Sequence, residues 1–412
     1  MSCSEWKVKR LSEIVDVIDS LHKSPKYIED GYPMIRVKDL EKGFLKFINP
    51  AYVSKDVFEE FNKKHKPKRG DILISRVGSY GIVTYVNTDE DFCLGQNTVI
   101  ITGYNSEIDN RFLYYILTSN IISEQIERLV TGSTQKTISM ASIKSLSIPV
   151  PDVSEQKAIC NILWTIDEKI ELNNEMNKTL EEIAQALFKR WFVDFEFPNE
   201  AGEPYKSSGG EMDESELGMI PKGWNVVMLK DISMVTMGVS PSSNSYNEEN
   251  IGLPLLNGAA DFQGKLIKPS KYTSEPKKVC ESGDMVFGVR ATIGNTVFAD
   301  GEYALGRGVA AVKSNNDYSR QFIYFILNNS MDKLISSASG SVFLNLKKAD
   351  IADLKICFNE NIVNMFHNIT SDLINKVIEN DNESEILKQY RDSLLPKLMS
   401  GEIKVEDIEA NL

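Results

Sequence analysis

The chain has 412 residues, 42% hydrophobic and 25% charged, with a net charge of −13, which allows two or three buried cores in an ordinary soluble protein. No run of eighteen apolar residues occurs, and the opening MSCSEWKVKRL lacks the apolar block of a signal peptide, so a cytoplasmic protein without membrane contact is expected. Five dispersed cysteines (Cys3, Cys93, Cys160, Cys280, Cys357) with no Cys-x-x-Cys, and three scattered histidines, argue against a disulfide framework and a metal site.

The acid is unevenly spread. Residues 1–150 carry +1 and residues 221–358 carry +2, whereas residues 151–200, 201–220 and 359–412 carry −6, −4 and −6. Two nearly neutral halves are thus separated by acidic segments. Phosphate contact by the halves stays open, although the total charge opposes it at long range.

In chain order, residues 1–151 read as a first α+β domain. β-like runs at 35–37, 71–75, 82–86 and 98–102 accompany one amphipathic helix over 111–130, and a strand over 145–149 closes the domain. Pro149 and Pro151 stop that strand, and Asp152 with Glu155 makes a helix cap. A long helix over 152–193 follows. Ile159, Leu163, Ile166, Ile170, Asn173, Asn177, Leu180, Ala184, Leu187 and Trp191 lie alternately four and three residues apart along it, the seam of a coiled coil. Residues 194–222, rich in Gly, Ser, Pro and acid, read as a linker or surface excursion.

The second half repeats the first. WKVKRLSEI at Trp6 is answered by WNVVMLKDI at Trp224, GDILISRVGSYG by GDMVFGVRATIG, LGQN by LGRG, and RFLYYIL by QFIYFIL. A second α+β domain over 223–358, a second long helix over 359–398 and a tail over 399–412 follow. Adding 207 to the seam yields Leu373, Val377, Asn380, Ser384 and Leu387 among others. If the helices cross antiparallel about a pseudo-twofold axis, Asn177 meets Asn380 and Asn173 meets Ser384, a polar layer that sets register.

The segments EQKAICNILWTIDEKIELNNEMNKTLEEIAQALFKRWFVDFEFP, GEPYKSSGGEMDESELGMIPKGW and QYRDSLLPKLMSGEI resemble the specificity subunit of type I restriction-modification systems, over essentially the whole chain. The resemblance implies two α/β target recognition domains held apart by an antiparallel pair of long helices, each domain reading half of a split sequence in double-stranded DNA. It also implies two modification (methyltransferase) subunits and restriction subunits as partners. S-adenosylmethionine, ATP and Mg then belong to those partners and none to this chain.

Candidate DNA contacts fall in three places. NKKHKPKRG offers Lys63, Lys64, Lys66, Lys68 and Arg69, and its looser counterpart offers Lys265, Lys268, Lys271, Lys277 and Lys278; the alternative for either is a solvated loop. Arg76 and Arg290 follow the GDILIS and GDMVFG strands and could read guanine or pair with a nearby carboxylate; Arg307 of LGRG joins them. TGSTQK, after a C-cap at Gly132, offers Gln135 to adenine and Ser133, Thr134 and Lys136 to phosphates.

No catalytic set emerges. Pro151, Asp152 and Glu155-Gln156-Lys157 mimic a nuclease PD…ExK core, but they fall in the first turns of one helix, where a cap is expected. Neither an Asn-Pro-Pro-Tyr motif, nor a Gly-x-Gly cofactor loop, nor a phosphate loop occurs. A non-catalytic DNA-recognition subunit is expected; a duplicated coiled-coil adaptor that binds proteins is the alternative.

Overall fold

The computed structural model describes residues 6–132, 136–290, 293–337 and 345–406. They fall into two compact units, Met1–Ile170 with Glu385–Leu412, and Glu171–Ser384. Each unit therefore takes part of the helix over Val153–Phe188 (the central helix) and part of the helix over Glu360–Met399 (the C-terminal helix).

In the first unit, Lys7–Arg10 pairs antiparallel with Ser147–Val150. A five-stranded sheet runs Asp16–Asp19, Thr98–Thr102, Ile72–Ser75, Val83–Tyr85, Gly43–Phe44, and a three-stranded one runs Ala51–Val53, Tyr32–Ile35, Cys93–Leu94. The ILIS run is apolar throughout because both faces are covered. Ile72 and Ile74 pack with Phe112 and Ile116, while Leu73 packs with Phe92 and Ile100, the two-residue alternation of a strand.

The second unit repeats this wiring. Asn225–Met228 pairs with Lys355–Phe358, and the sheet order is Ser233–Met237, Val309–Ser314, Met285–Gly288, Gly294–Phe298. The parallel pair Met34↔Cys93 and Ile35↔Leu94 recurs as Leu255↔Ala304 and Leu256↔Leu305. Met285 and Phe287 face one core while Val286 faces another. The duplication seen in the sequence is a duplication of topology.

Three expectations need correction. The helix expected over 111–130 is two helices, Asn110–Thr118 and Asn120–Leu129, parted at Ser119, whose backbone is extended and whose hydroxyl donates to the Ile116 carbonyl. The corresponding helix of the second unit, Arg320–Ser337, is unbroken; Asn329 stands at that position and donates to the Phe325 carbonyl one turn back. Residues 194–222 are no tether. Met212–Ser215 and Gly218–Pro221 form a hairpin, and Phe197, Ile220 and Trp224 are buried in the second unit's core. Gly132 takes φ +99° but lies beyond the helix, which ends on an extended Val130.

The long helices run antiparallel within each unit. In the second unit Asn380 donates to the Asn177 side-chain oxygen at 2.8 Å, and Asn173 donates to the Ser384 hydroxyl at 3.2 Å and to Glu383 at 2.8 Å. Asn173, Asn177, Asn380, Ser384, Ile170 and Val377 are buried, but Ile166, Leu180, Leu373 and Leu387 are only partly so. Away from the polar layer the seam positions Ile159, Leu163, Ala184, Trp191, Phe366, Thr370 and Leu398 are buried, and Asp167, Phe188 and Ile374, one residue off the seam, join them, since a straight helix drifts from a seven-residue repeat by about 20° per heptad.

Asp167 carries a polar triad that the seam pattern does not reveal. In the first unit it accepts from Tyr115 Oη and Arg391, each at 2.7 Å. Burial would lower the Arg391 pKa, but Asp167 and Asp392 outweigh burial and raise it; burial first, then Asp167, pushes the Tyr115 phenol up. The repeat places Ile374, Phe325 and Ala184 at the corresponding positions of the second unit, all buried in its apolar core.

Candidate nucleic-acid interface

The basic loop 62–70 follows the helix Lys55–Phe61 and is shaped from below. Fully buried Asp71 accepts from the His65 ring at 2.7 Å and from the Lys68 amide at 3.0 Å, and Pro67 is buried. Lys66 and Arg69 pair with Asp91 and Asp89 at 2.5 and 2.9 Å. Lys63, Lys64 and Lys68 are exposed, and exposed pairs such as the other two add little to stability. The loop thus presents cations on a rigid base.

Arg76 does not belong with them. It is largely buried and holds both Asp19 oxygens at 2.8 and 2.7 Å and the Ile138 carbonyl at 3.2 Å. It ties the end of the Ile72–Ser75 strand to its neighbours, the carboxylate-pairing alternative. Arg290, its approximate counterpart, is exposed. Lys136 is exposed, with its ammonium 5.7 Å from the Tyr80 ring centroid; Ser133, Thr134 and Gln135 lie outside the described residues.

In the second unit Lys271, Lys277 and Lys278 are exposed and Lys268 is half-buried. Lys265 is withdrawn from solvent contact with a ligand by its own neighbours, donating to Tyr324 Oη at 2.6 Å and pairing with Glu181 at 3.4 Å. Burial would lower its pKa, yet Tyr324 and Glu181 raise it, so the amine stays charged and engaged.

Arg307 is exposed at the tip of the LGRG turn. Gly308 permits the close approach beneath it, because a Cβ there would collide with the Asn257 carbonyl. The matching turn of the first unit, LGQN, puts exposed Gln96 at that tip, followed by Asn97 with φ +66°. Gln96 and Asn97 border a cleft of about 270 Å³ with Lys23, Tyr27, Arg36 and Lys38. Asp39 clamps Arg36 at 2.6 and 2.9 Å, while Lys23, Lys38 and Gln96 are exposed, Lys23 pairing with Glu60. Reading the LGQN and LGRG landmarks as paired loop tips would have found Gln96 from sequence.

The nuclease-like Pro151-Asp152 segment is a cap. Asp152 Oδ1 accepts from the Glu155 amide at 2.9 Å and from the Ser154 hydroxyl, and these bonds, Ser154 first, hold its pKa below the usual carboxylate value. Among the described residues no group of three or more His, Cys, Asp or Glu side chains could hold a metal ion. No helix among them is long and apolar enough to cross a membrane.

Residues 3–182 and 221–380 match the family model of the type I restriction modification DNA specificity domain, once in each half. The chain belongs to this family. Its relatives include the type I restriction enzyme MjaIX specificity subunit of Methanocaldococcus jannaschii, 28% identical over 98% of this chain and 95% of that one. The HindI specificity subunit of Haemophilus influenzae is 25% identical over 97% and 100%. Among solved structures, the S subunit of a type I restriction-modification system from M. genitalium shares the fold at a TM-score of 0.61, with 19% identity and 95% and 96% coverage. The chain is a type I specificity subunit with two DNA recognition domains.

Proposed function

We propose that each unit reads one half of a bipartite double-stranded DNA target, and that the long helices carry the docking surfaces for two modification subunits and for restriction subunits. The observation that carries this reading is the repeated topology: each unit has its own core and its own exposed loop tip, Gln96 in one and Arg307 in the other. Glutamine suits adenine and arginine suits guanine in the major groove, so different tips fit different half-sites. Lys63, Lys64, Lys68, Lys271, Lys277 and Lys278 would contact phosphates, which position the protein without specifying sequence.

In this reading the chain is a non-catalytic part of the complex. Methyl transfer, cleavage, S-adenosylmethionine, ATP and Mg²⁺ belong to the other subunits, and the assembly works in the cytoplasm. The modification subunits also supply positive charge that a chain of −13 lacks.

The test is to replace residues 223–358 by the matching domain of a relative and map methylated sites in a host that makes the whole system. One half of the methylated sequence should change and the other should stay; change in both halves defeats independent reading. The acidity also favours a second reading, a protein-binding adaptor. A complex with the modification subunit that has no affinity for DNA at low salt would support that adaptor instead.

A further inference from the structure

The two units differ at one packed aromatic position. In the first, Trp164 of the central helix lies edge-on to Tyr85 and Phe44, with ring centroids 4.8 and 5.1 Å away. Its face receives the Arg111 guanidinium at 5.4 Å, and its indole N–H donates to Glu168 at 2.7 Å. The repeat maps these four neighbours onto Phe298, Leu266, Gln321 and Asn375. The strand register Ile72↔Tyr85 and Met285↔Phe298 supports the first match. Trp164 itself maps onto Ser371.

All four counterparts line a single cavity of about 290 Å³ in the second unit. The indole of the first unit has no equivalent there, since serine stands at 371, and the counterparts of its neighbours surround the cavity instead. Apolar cavities of about 150 Å³ already take up benzene. Phe298 and Tyr324, stacked on each other at 5.0 Å and 25°, both line it and give it an aromatic side. Thr296 also lines it, is 3% exposed, and its hydroxyl has no hydrogen-bond partner. A buried polar atom without a partner is costly, and a ligand that satisfies it gains affinity.

The charged groups at the rim are already engaged. Lys265 is held by Glu181 and Tyr324, Arg320 by Asp317, Asp381 by Asn177, and Asp300 by Tyr303. The cavity therefore suits an uncharged molecule rather than a phosphate or carboxylate. We propose that it binds a neutral bicyclic aromatic molecule the size of indole, with its ring against Phe298 and Tyr324 and one N–H donated to Thr296 Oγ1. The bound ring bridges sheet and C-terminal helix in the second unit as Trp164 bridges sheet and central helix in the first.

The test is calorimetric titration of the full chain with indole and with 1-methylindole, which lacks the donor. Indole should bind saturably at one site, with 1-methylindole about three- to tenfold weaker, and Thr296→Val should bring the two to equal affinity. Ser371→Trp, which copies the first unit, should abolish binding. Ile378→Phe fills the cavity from the helix side and gives the same reading if the first variant does not fold. No saturable binding at millimolar indole overturns the proposal, as does undiminished binding in a folded filling variant. Equal affinity of the two ligands for the unaltered chain overturns the assignment to Thr296.

Discussion

Lys63, Lys64 and Lys68 are exposed on a loop whose shape a buried carboxylate sets, so their removal should act on ligand and not on fold. Each alanine substitution that removes a phosphate contact should reduce the salt slope of DNA binding by about 1, uniformly across sequences; an unchanged slope in the complex places these lysines off the DNA. Gln96→Ala should instead relax one base position at a cost of about 1–3 kcal/mol, read as a degenerate base in the methylated motif. Arg76→Ala belongs to stability: it takes the guanidinium from Asp19, which keeps the His22 ring at 3.0 Å and some solvent, and should cost the first unit about 1–2 kcal/mol, below the range for fully buried pairs, measured by denaturant unfolding. Burial pushes the Cys93 and Cys280 thiols up to about 12 from an ordinary 9.0. The native state then holds these protons more tightly than the unfolded chain, so stability is full below about pH 9 and falls as pH rises toward 12. Unfolding midpoints measured across that window should fall less steeply in Cys93→Ala, and an identical slope would clear the thiol. Arg76 shows what sequence could not decide: an arginine after a strand has two plausible partners, and only the fold brings Asp19, 57 residues away, against it.

At the scale of the element, the antiparallel helices carry two polar devices with different logic. Asn380→Leu alone leaves the Asn177 oxygen without its donor in a buried layer and should cost about 1–3 kcal/mol, measured as a lower denaturation midpoint. Replacing Tyr115, Asp167 and Arg391 together by Phe, Ile and Ala copies the residues the second unit uses and should be neutral or stabilising, whereas Asp167→Ile alone takes the acceptor from the buried Tyr115 hydroxyl and leaves Arg391 only Asp392, at 2.8 Å, and should cost about 1–3 kcal/mol. If the triple variant is no better than the single one, the two seats are not equivalent in packing. The seam, the caps and the strand repeats were legible because each depends on local period and end chemistry, as at Asp152 and Asn177. The break at Ser119 was not, because the apolar stripe runs through it and its hydroxyl bond to Ile116 decides the matter locally. Nor was the packing of residues 194–222, where Gly, Ser and acid hide Phe197 and Ile220, two apolar residues that anchor the excursion in the core. The triad escaped notice because the seam period places Ile166, not Asp167, inside.

At the scale of the whole molecule, the two units differ in how they are drawn from the chain. The second is one uninterrupted stretch, Glu171–Ser384, but the first joins Met1–Ile170 to Glu385–Leu412, and Leu398 and Met399 are buried in a core with Leu11, Ile14 and Phe112. A chain ending at residue 384 should therefore keep a cooperative unfolding transition for the second unit and lose it for the first, seen as one calorimetric transition in place of two; retention of both would show that Leu398 and Met399 are dispensable. The order of synthesis makes this more than a matter of stability. The N-terminal domain leaves the ribosome first, yet Leu398 and Met399 emerge about 250 residues after its last strand, Ser147–Val150, is complete, so at translation rates of about 5–20 residues per second it waits roughly ten seconds or more with that face open. The second unit, though made later, is the first that can close completely. The nascent chain thus spends its riskiest interval with the apolar face beside Trp6, where the end of the C-terminal helix later packs, uncovered, and a nascent-chain chaperone would find its binding site there.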